Sequence, residues 1–273
     1  MRATSTITHS HPAVEQAAER LRTAATSGHP CAPVRDLIGS SDIELAYAVQ
    51  RLRVDQRVAA GATVTGRKIG LTSPAVQHQL GVDQPDFGVL FDDMDVSAYD
   101  EVPSDRLLQP KAEAEIAFLL AEDLVDGALD PTQVRGAVVG AAAALEIVDS
   151  RIAGWDITIT DTVADNGSSG LYVLADRWLP LDELEPREVT MRLFSDDCLA
   201  SEGTGAACLG DPLAALVWLA RTARNLGQPL LSGQVVLSGA LGPMIPAPPG
   251  VTLRAELSGL GQVSAKFSRK GRS

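Results

Sequence analysis

Cysteine is scarce in this chain of 273 residues, and it follows no pattern: Cys31, Cys198 and Cys208 are odd in number and share no Cys-x-x-Cys or Cys/His ligand spacing. A disulfide framework and a zinc site are both excluded, and the thiols read as reduced, partly buried small residues. Histidine is equally sparse: His9, His11, His29 and His78 lack metalloprotease spacing, and His78 on a short helix reads as a surface or packing residue. Positive charge is in deficit, with 23 Lys and Arg against 35 Asp and Glu and a net charge of −12. Such a balance repels phosphate backbones and anionic lipid, so neither nucleic acid nor membrane is expected as a partner. The basic cluster from Lys266 to Arg272 reads as a solvated tail. Long apolar runs are missing too. The longest, around Gly136 to Val148, is too short to span a bilayer, and residues 1 to 10 hold no signal-peptide core, which makes the expected location cytoplasmic. There is no P-loop and no Gly-x-Ser-x-Gly elbow with a histidine base. The run Gly203 to Gly210 lacks the context of a dinucleotide loop and reads as the lead into a helix.

What is present describes a globular protein, 45% hydrophobic and 21% charged, long enough to bury one large core with a small appendage. Residues 12 to 27 and 42 to 60 carry apolar positions at helical spacing, the second after the cap-like Ser40-Ser41-Asp42. These mark a helical part over 1–62 and a β-rich catalytic domain over 63–273. Short apolar runs bounded by Gly and Pro then predict strands at Thr63 to Leu71, Asp95 to Tyr99, Glu113 to Leu120, Leu145 to Asp149, Gly170 to Leu174, Val189 to Phe194, Gln234 to Ser238 and Val251 to Leu257. Helices are expected at 73 to 80, 131 to 143 and 211 to 226, the last opening with Asp211-Pro212 as cap and first residue. The mixture predicts an α+β fold.

The chemistry concentrates in a few segments. In Glu113-Ala-Glu115, strand alternation puts both carboxylates on one face, while Ala114, Ile116, Phe118 and Leu120 form the buried face. Two like charges held together meet either solvent or a cation. Glu146 arrives in an apolar run, where an unpaired charge is costly, and three glutamates make an oxygen ligand set of the kind Mg²⁺ or Mn²⁺ prefers. Lys68, flanked by Gly, Ile and Leu, either snorkels outward or is buried for use as an acid, base or anchor. Asp86 sits between Pro85 and an aromatic-Gly pair, where its bland role is turn capping. The loop from Asp161 to Gly170 gathers hydroxyl, amide and carboxylate groups suited to capping or to cradling a substrate carboxylate.

The order of these segments carries a resemblance. Gly-x-Lys-Ile-Gly-Leu-Thr-Ser from Gly66, Pro-Asp-Phe-Gly at Asp86, Glu-x-Glu-Ile-Ala-Phe at Glu113, Leu-Glu-Ile-Val-Asp-Ser-Arg at Glu146 and Asp-Thr-Val-Ala-Asp-Asn-x-Ser-x-Gly from Asp161 occur in sequence. Together with Leu230 to Gly239 and Gly259 to Val263, they resemble the 2-keto-4-pentenoate hydratase family, in the fumarylacetoacetate hydrolase superfamily that also includes 4-oxalocrotonate decarboxylases. The likeness runs from about residue 40 to residue 270. It departs from the family pattern at Gly167, where Ala is common, at Gln234, where Asp is usual, and in the missing acidic residue after Gly250.

The resemblance implies a rolled mixed β-sheet body behind a small helical part, and Mg²⁺ or Mn²⁺ held by Glu113, Glu115 and Glu146. It also implies a homo-oligomer, with a pathway aldolase or decarboxylase as a further partner. The implied reaction adds water to 2-hydroxypenta-2,4-dienoate to give 4-hydroxy-2-oxopentanoate, in the catabolism of aromatic-type compounds. Lys68 is then the acid/base or enolate partner and Asp86 the group that positions water. Asn166 and Ser168 hydrogen-bond the substrate carboxylate or the water. For a dicarboxylate substrate, Lys111 and Arg151 are the cations available. A decarboxylase of the same family, or a non-catalytic subunit that binds a 2-oxo acid, are the alternatives.

Overall fold

Apolar spacing closes the N-terminal segment into three helices, α1 (Pro12–Ser27), α2 (Arg35–Ile38) and α3 (Ile43–Ala59), in a computed structural model that describes residues 11–73, 77 and 84–269. Proline opens α1, and Gly28 ends it at φ 73°, a left-handed turn that costs glycine nothing. Asp42 caps α3 by accepting from the Leu45 amide. Val14, Ala18 and Leu21 of α1 and Val49 of α3 share one apolar cluster with Ile152, Ile159 and Val163 from far along the chain. The helical part is therefore packed onto the body by burial.

The body comprises β1 (Val64–Gly70), β2 (Asp86–Phe91), β3 (Pro110–Leu120), α4 (Pro131–Gly136), β4 (Val138–Asp149), α5 (Ile159–Ala164) and β5 (Ser169–Leu174). It continues with β6 (Thr190–Ser195), β7 (Cys198–Thr204), α6 (Pro212–Asn225), β8 (Val235–Leu237), β9 (Ile245–Pro246), β10 (Thr252–Leu257) and β11 (Gly261–Lys266). A seven-stranded curled sheet has the order β2-β1-β8-β3-β4-β5, with β9 on β3, and a four-stranded sheet the order β11-β10-β6-β7. Among these pairings only β1 with β8 is parallel, so the large sheet is mixed and the fold is α+β.

Alternation decides which face does what. Ala114, Ile116 and Phe118 of β3 and Ala143, Leu145 and Ile147 of β4 face one way, onto Met191 and Leu193 of β6 and Leu253 and Ala255 of β10. The two sheets thus enclose the main core, which helix α6 closes with Leu216 and Leu219. The opposite face of the large sheet carries Ala117, Ala144, Tyr172 and Leu237, and next to them the charged residues.

Three expectations from local sequence change. The helix expected over 131 to 143 ends at Gly136, and the Ala-rich run joins the twelve-residue strand β4. Alanine favours helix locally, but Ala141 to Ala144 are fully buried and pair along the whole run with β3, and Ala144 also with β5, so sheet pairing decides the backbone. Asp86 opens a strand instead of capping a turn. Residues 95 to 99 form no strand, only a single bridge from Asp95 to Tyr172. The strand β7 lies in front of the Gly203 to Gly210 loop, but in an antiparallel sheet and without the parallel crossover of a dinucleotide fold. The helix expected at 73 to 80, with His78, lies outside the described residues apart from Ser73 and Gln77. No helix among the described residues is long and apolar enough to cross a membrane.

Candidate active site

Strand register assembles the site. In the antiparallel pair β3 and β4, Glu113 lies directly opposite Glu146, and Glu115 follows two residues along on the same face. Lys68 joins them through an intermediate strand: it pairs with Leu237 of β8, and Leu237 pairs with Ala117 of β3. Lys68 therefore shares the face of Ala117, Glu115 and Glu113. Gly70, two residues on, lies opposite Asp86, which brings that carboxylate to the same face. Four separated stretches of sequence so deliver five ionisable side chains to one place.

Four of the five are almost entirely out of water: Lys68 is 2% exposed, Asp86 1%, Glu115 0% and Glu146 1%. Oxygens of the three glutamates lie within 4.8 Å of one another. Like charges that close repel, and here burial removes the water that would screen them. The Lys68 ammonium lies 2.9 Å from Glu146 Oε1 as an ion pair, yet neither Glu146 oxygen accepts an aligned hydrogen bond, nor does Glu115 Oε1. Glu115 Oε2 accepts from the Gly239 amide at 2.8 Å. One cation thus faces four carboxylates, and three buried oxygen atoms have no hydrogen-bond donor among the described residues. An arrangement of hard oxygen donors with that deficit fits Mg²⁺ or Mn²⁺.

The ionisation equilibria follow the same balance. Burial, and then Glu146, push the Glu113 carboxyl up to about 7. Burial and both neighbouring glutamates hold Glu115 well above the usual carboxylate range. Asp86 is raised by burial against the opposing pull of Lys68. Burial acts to lower Lys68, but Glu146, Asp86, Glu113 and Glu115 outweigh it and hold the ammonium above its ordinary value.

Close packing fixes Asp86 and Lys68 in place. A Cβ at Gly70 would stand 2.2 Å from Asp86 Oδ1, so only glycine fits across from that carboxylate. Thr162 Oγ1 donates to Asp86 Oδ2 at 3.3 Å. The Tyr47 ring of α3 stacks on Phe87 at 4.9 Å, and its hydroxyl is pushed up by burial and by Asp86. Thr162 carried no assigned role in the sequence, and Tyr47 gave no signal beyond its helical spacing; register and packing bring both to the site.

A tight turn closes the other side. Asn166, Gly167 and Ser168 all have left-handed backbones, at φ 59°, 62° and 53°. Two of them are not glycine, so the turn holds strain that its surroundings must offset. Arg151 provides the clamp: its backbone amide and Nε donate to Asp165, Nη1 donates to Ser169 O at 2.6 Å and Nη2 to Asp165 O. Both polar ends of the Asn166 carboxamide are used on Val89, accepting from its N–H at 2.8 Å and donating to its carbonyl at 2.9 Å. That pairing fastens the turn to β2. Ser168 Oγ is buried without a partner among the described residues, and Gly167 lies where a Cβ would touch Lys68 Cε at 3.0 Å. Arg151 is fully engaged and leaves Lys111, which rests over the Trp155 ring at 4.3 Å, as the cation near the glutamates with no ion pair among the described residues.

No protein-family model matches the chain. It is, however, 48% identical over 253 residues to the 2-keto-4-pentenoate hydratase of Paraburkholderia xenovorans, covering 93% of this chain and 94% of that one. The chain belongs to the 2-keto-4-pentenoate hydratase family. A second member-like relative, the TodF product hydratase of Pseudomonas putida, is 49% identical over 257 residues, 94% of this chain and 96% of its own length. Among solved structures, 4-oxalocrotonate decarboxylase from Pseudomonas putida G7, complexed with magnesium and adipate, superposes at a TM-score of 0.87. It is 30% identical, and the match covers 93% of this chain and 97% of that chain. The hydratase family thus shares its architecture with a decarboxylase, as the sequence motifs imply.

Proposed function

We propose that this chain is a divalent-metal-dependent hydro-lyase that adds water to 2-hydroxypenta-2,4-dienoate and yields 4-hydroxy-2-oxopentanoate, as a step in the breakdown of aromatic-type compounds. The observation that carries this reading is the convergence of Glu113, Glu115 and Glu146 with Lys68 and Asp86 on one buried sheet face, in a chain about half identical to hydratases.

A Mg²⁺ or Mn²⁺ held by the three glutamates would supply Lewis-acid stabilisation of negative charge at the carboxylate end of the substrate. The remaining work belongs to the chain. Loss of the enol proton and protonation at C5 convert the dienol into a 2-oxo acid with a C3–C4 double bond. Water then adds its oxygen at C4, and a proton enters at C3. Lys68, buried and protonated, is the candidate proton donor or enolate partner. Asp86 accepts the proton of the attacking water, because its raised affinity for protons suits a base. Ser168 Oγ, buried and otherwise unpartnered, hydrogen-bonds the substrate carboxylate. Orientation by this fixed turn removes part of the entropic barrier.

The test is product analysis with and without metal. Chelation is expected to abolish conversion of the dienoate and Mg²⁺ or Mn²⁺ to restore it; full turnover in exhaustively metal-free protein would end this reading. Presented side by side with the dicarboxylate 4-oxalocrotonate, the monoacid should be hydrated faster than CO₂ is released. Stoichiometric CO₂ with no hydration would assign the chain to the decarboxylase chemistry instead. We also infer a cytoplasmic homo-oligomer, supported by exposed apolar side chains such as Tyr99, Val139 and Leu199; a fully active monomer by mass measurement would contradict it.

A further inference from the structure

Helix α3 turns an unusual stripe inward. Gln50, Arg53, Val54 and Arg57 recur at the spacing that ordinarily carries apolar residues to a core. All four line a cavity of about 150 Å³ between α3 and the far side of the strained turn. A cavity of that order accepts a molecule of about six heavy atoms.

The charges around it are unevenly satisfied. Arg57 donates to Asp93 Oδ1 at 2.6 Å, and Arg106 to the Asp93 carbonyl at 2.7 Å. Arg151 is consumed by Asp165 and Ser169. Asp149, which also lines the space, has its carboxylate covered by the Leu108 and Gln109 amides. Arg53 is different. Its one bond, at 3.3 Å, goes to Asp165 Oδ1, an oxygen that Arg151 already holds at 2.6 Å. Nε and Nη2 of Arg53 have no partner among the described residues, although the side chain is only 17% exposed. Burial pulls this guanidinium down to about 10, since Asp165 offsets only part of the lost hydration. A poorly hydrated guanidinium with spare parallel donors is built to take a carboxylate in a two-pronged bond. The lining also has apolar members, Phe91, Met94, Leu107 and Leu171, with the Arg57 guanidinium 4.0 Å from the centre of the Phe91 ring. A fully polar anion such as phosphate would leave those apolar members unmatched, whereas a short aliphatic tail would cover them.

We propose that this cavity is a second binding site, separate from the glutamate centre, for a short-chain monocarboxylate of about four or five carbons. Its carboxylate sits on Arg53 and its tail lies between Phe91 and Leu171. The occupant also touches Asn166 and Ser169, so it braces the turn that carries Ser168 from behind. This inference does not depend on which reaction the glutamate centre performs.

The probe is butanoate, which lacks the 2-oxo group needed to chelate a metal. Protein saturated with Mg²⁺, and with oxalate added to block the glutamate centre, is titrated by calorimetry and by thermal unfolding. The expected result is one saturable site and a rising midpoint of unfolding. Affinity should fall at least about tenfold in Arg53→Met, the loss of one charge-assisted hydrogen-bonding group, and less in Arg53→Lys. Ala25→Phe, an exposed position at the rim, should weaken butanoate while the response to Mg²⁺ stays unchanged, and it decides the matter if Arg53→Met does not fold. No saturable binding with oxalate present, or equal affinity in wild type and Ala25→Phe, would overturn the proposal. Inorganic phosphate binding as tightly as butanoate would overturn the carboxylate assignment.

Discussion

Replacing Lys68 by Met separates the two things this lysine does. Without a metal, Lys68 is the cation within 2.9 Å of Glu146, inside a group of carboxylates that are otherwise uncompensated. Removing one partner of a buried pair costs about 3–5 kcal/mol, because the other charge is left alone in a poor solvent. In a chain of this size that corresponds to a fall in unfolding midpoint on the order of 10 °C. A bound dication supplies the missing positive charge, so most of this loss should be recovered when Mg²⁺ is added to the variant. The rate should not recover: a proton-transfer group is worth about 10²–10⁴ in turnover. The assay is thermal unfolding of both proteins with and without Mg²⁺, alongside kcat at saturating dienoate. An unchanged kcat would make Lys68 structural and move the proton transfer to Asp86 or water. A destabilisation that Mg²⁺ does not relieve would refute the charge balance on which the metal assignment rests.

The metal-free protein should have an inverted pH response. Glu113 is raised from 4.5 to about 7 in the fold, and Glu115 and Asp86 are raised as well. These groups favour the protonated folded state, so their contribution is present below pH 4.5 and lost as pH rises through about 7. The stabilisation given by Mg²⁺, read as a difference in unfolding midpoint, should therefore grow between about pH 5 and about pH 8; a gain that shrinks with pH would contradict the shifts. Gly70→Ala forces a Cβ against Asp86 Oδ1. It should lower kcat by about 10²-fold or more while Mg²⁺ affinity, measured by calorimetry, stays within a factor of a few, and an unaffected kcat would remove Asp86 from the chemistry. Arg151→Met unfastens the turn at Asp165 and Ser169; the expected outcome is a raised KM and a lower unfolding midpoint, and normal values for both would show that the turn holds itself.

Much of this protein is legible in its sequence because some signals are local. Alternation in Glu113-Ala-Glu115 fixes that both carboxylates share a face whatever the strand pairs with, and the caps at Asp42 and Asp211 start their helices through bonds only two or three residues long. The motif order from Gly66 to Gly170 likewise lies on the page before any folding. Other features depend on partners far away in the chain. The Ala-rich run before Glu146 reads as helix by propensity and becomes strand because β3 pairs along it and β5 joins from Ala144 onward. Asp86 looks like a turn residue until pairing with Gly70 places it beside Lys68. The pairing of the Asn166 amide with Val89 likewise has no local signal. Side-chain chemistry and period-two alternation, readable from sequence alone, put Glu113 and Glu115 together, and register adds Glu146, Lys68 and Asp86. Their distances, their shared deficit of positive charge and the spare donors of Arg53 exist only once strand register and helix packing bring remote residues within a few ångströms, where desolvation makes each charge matter.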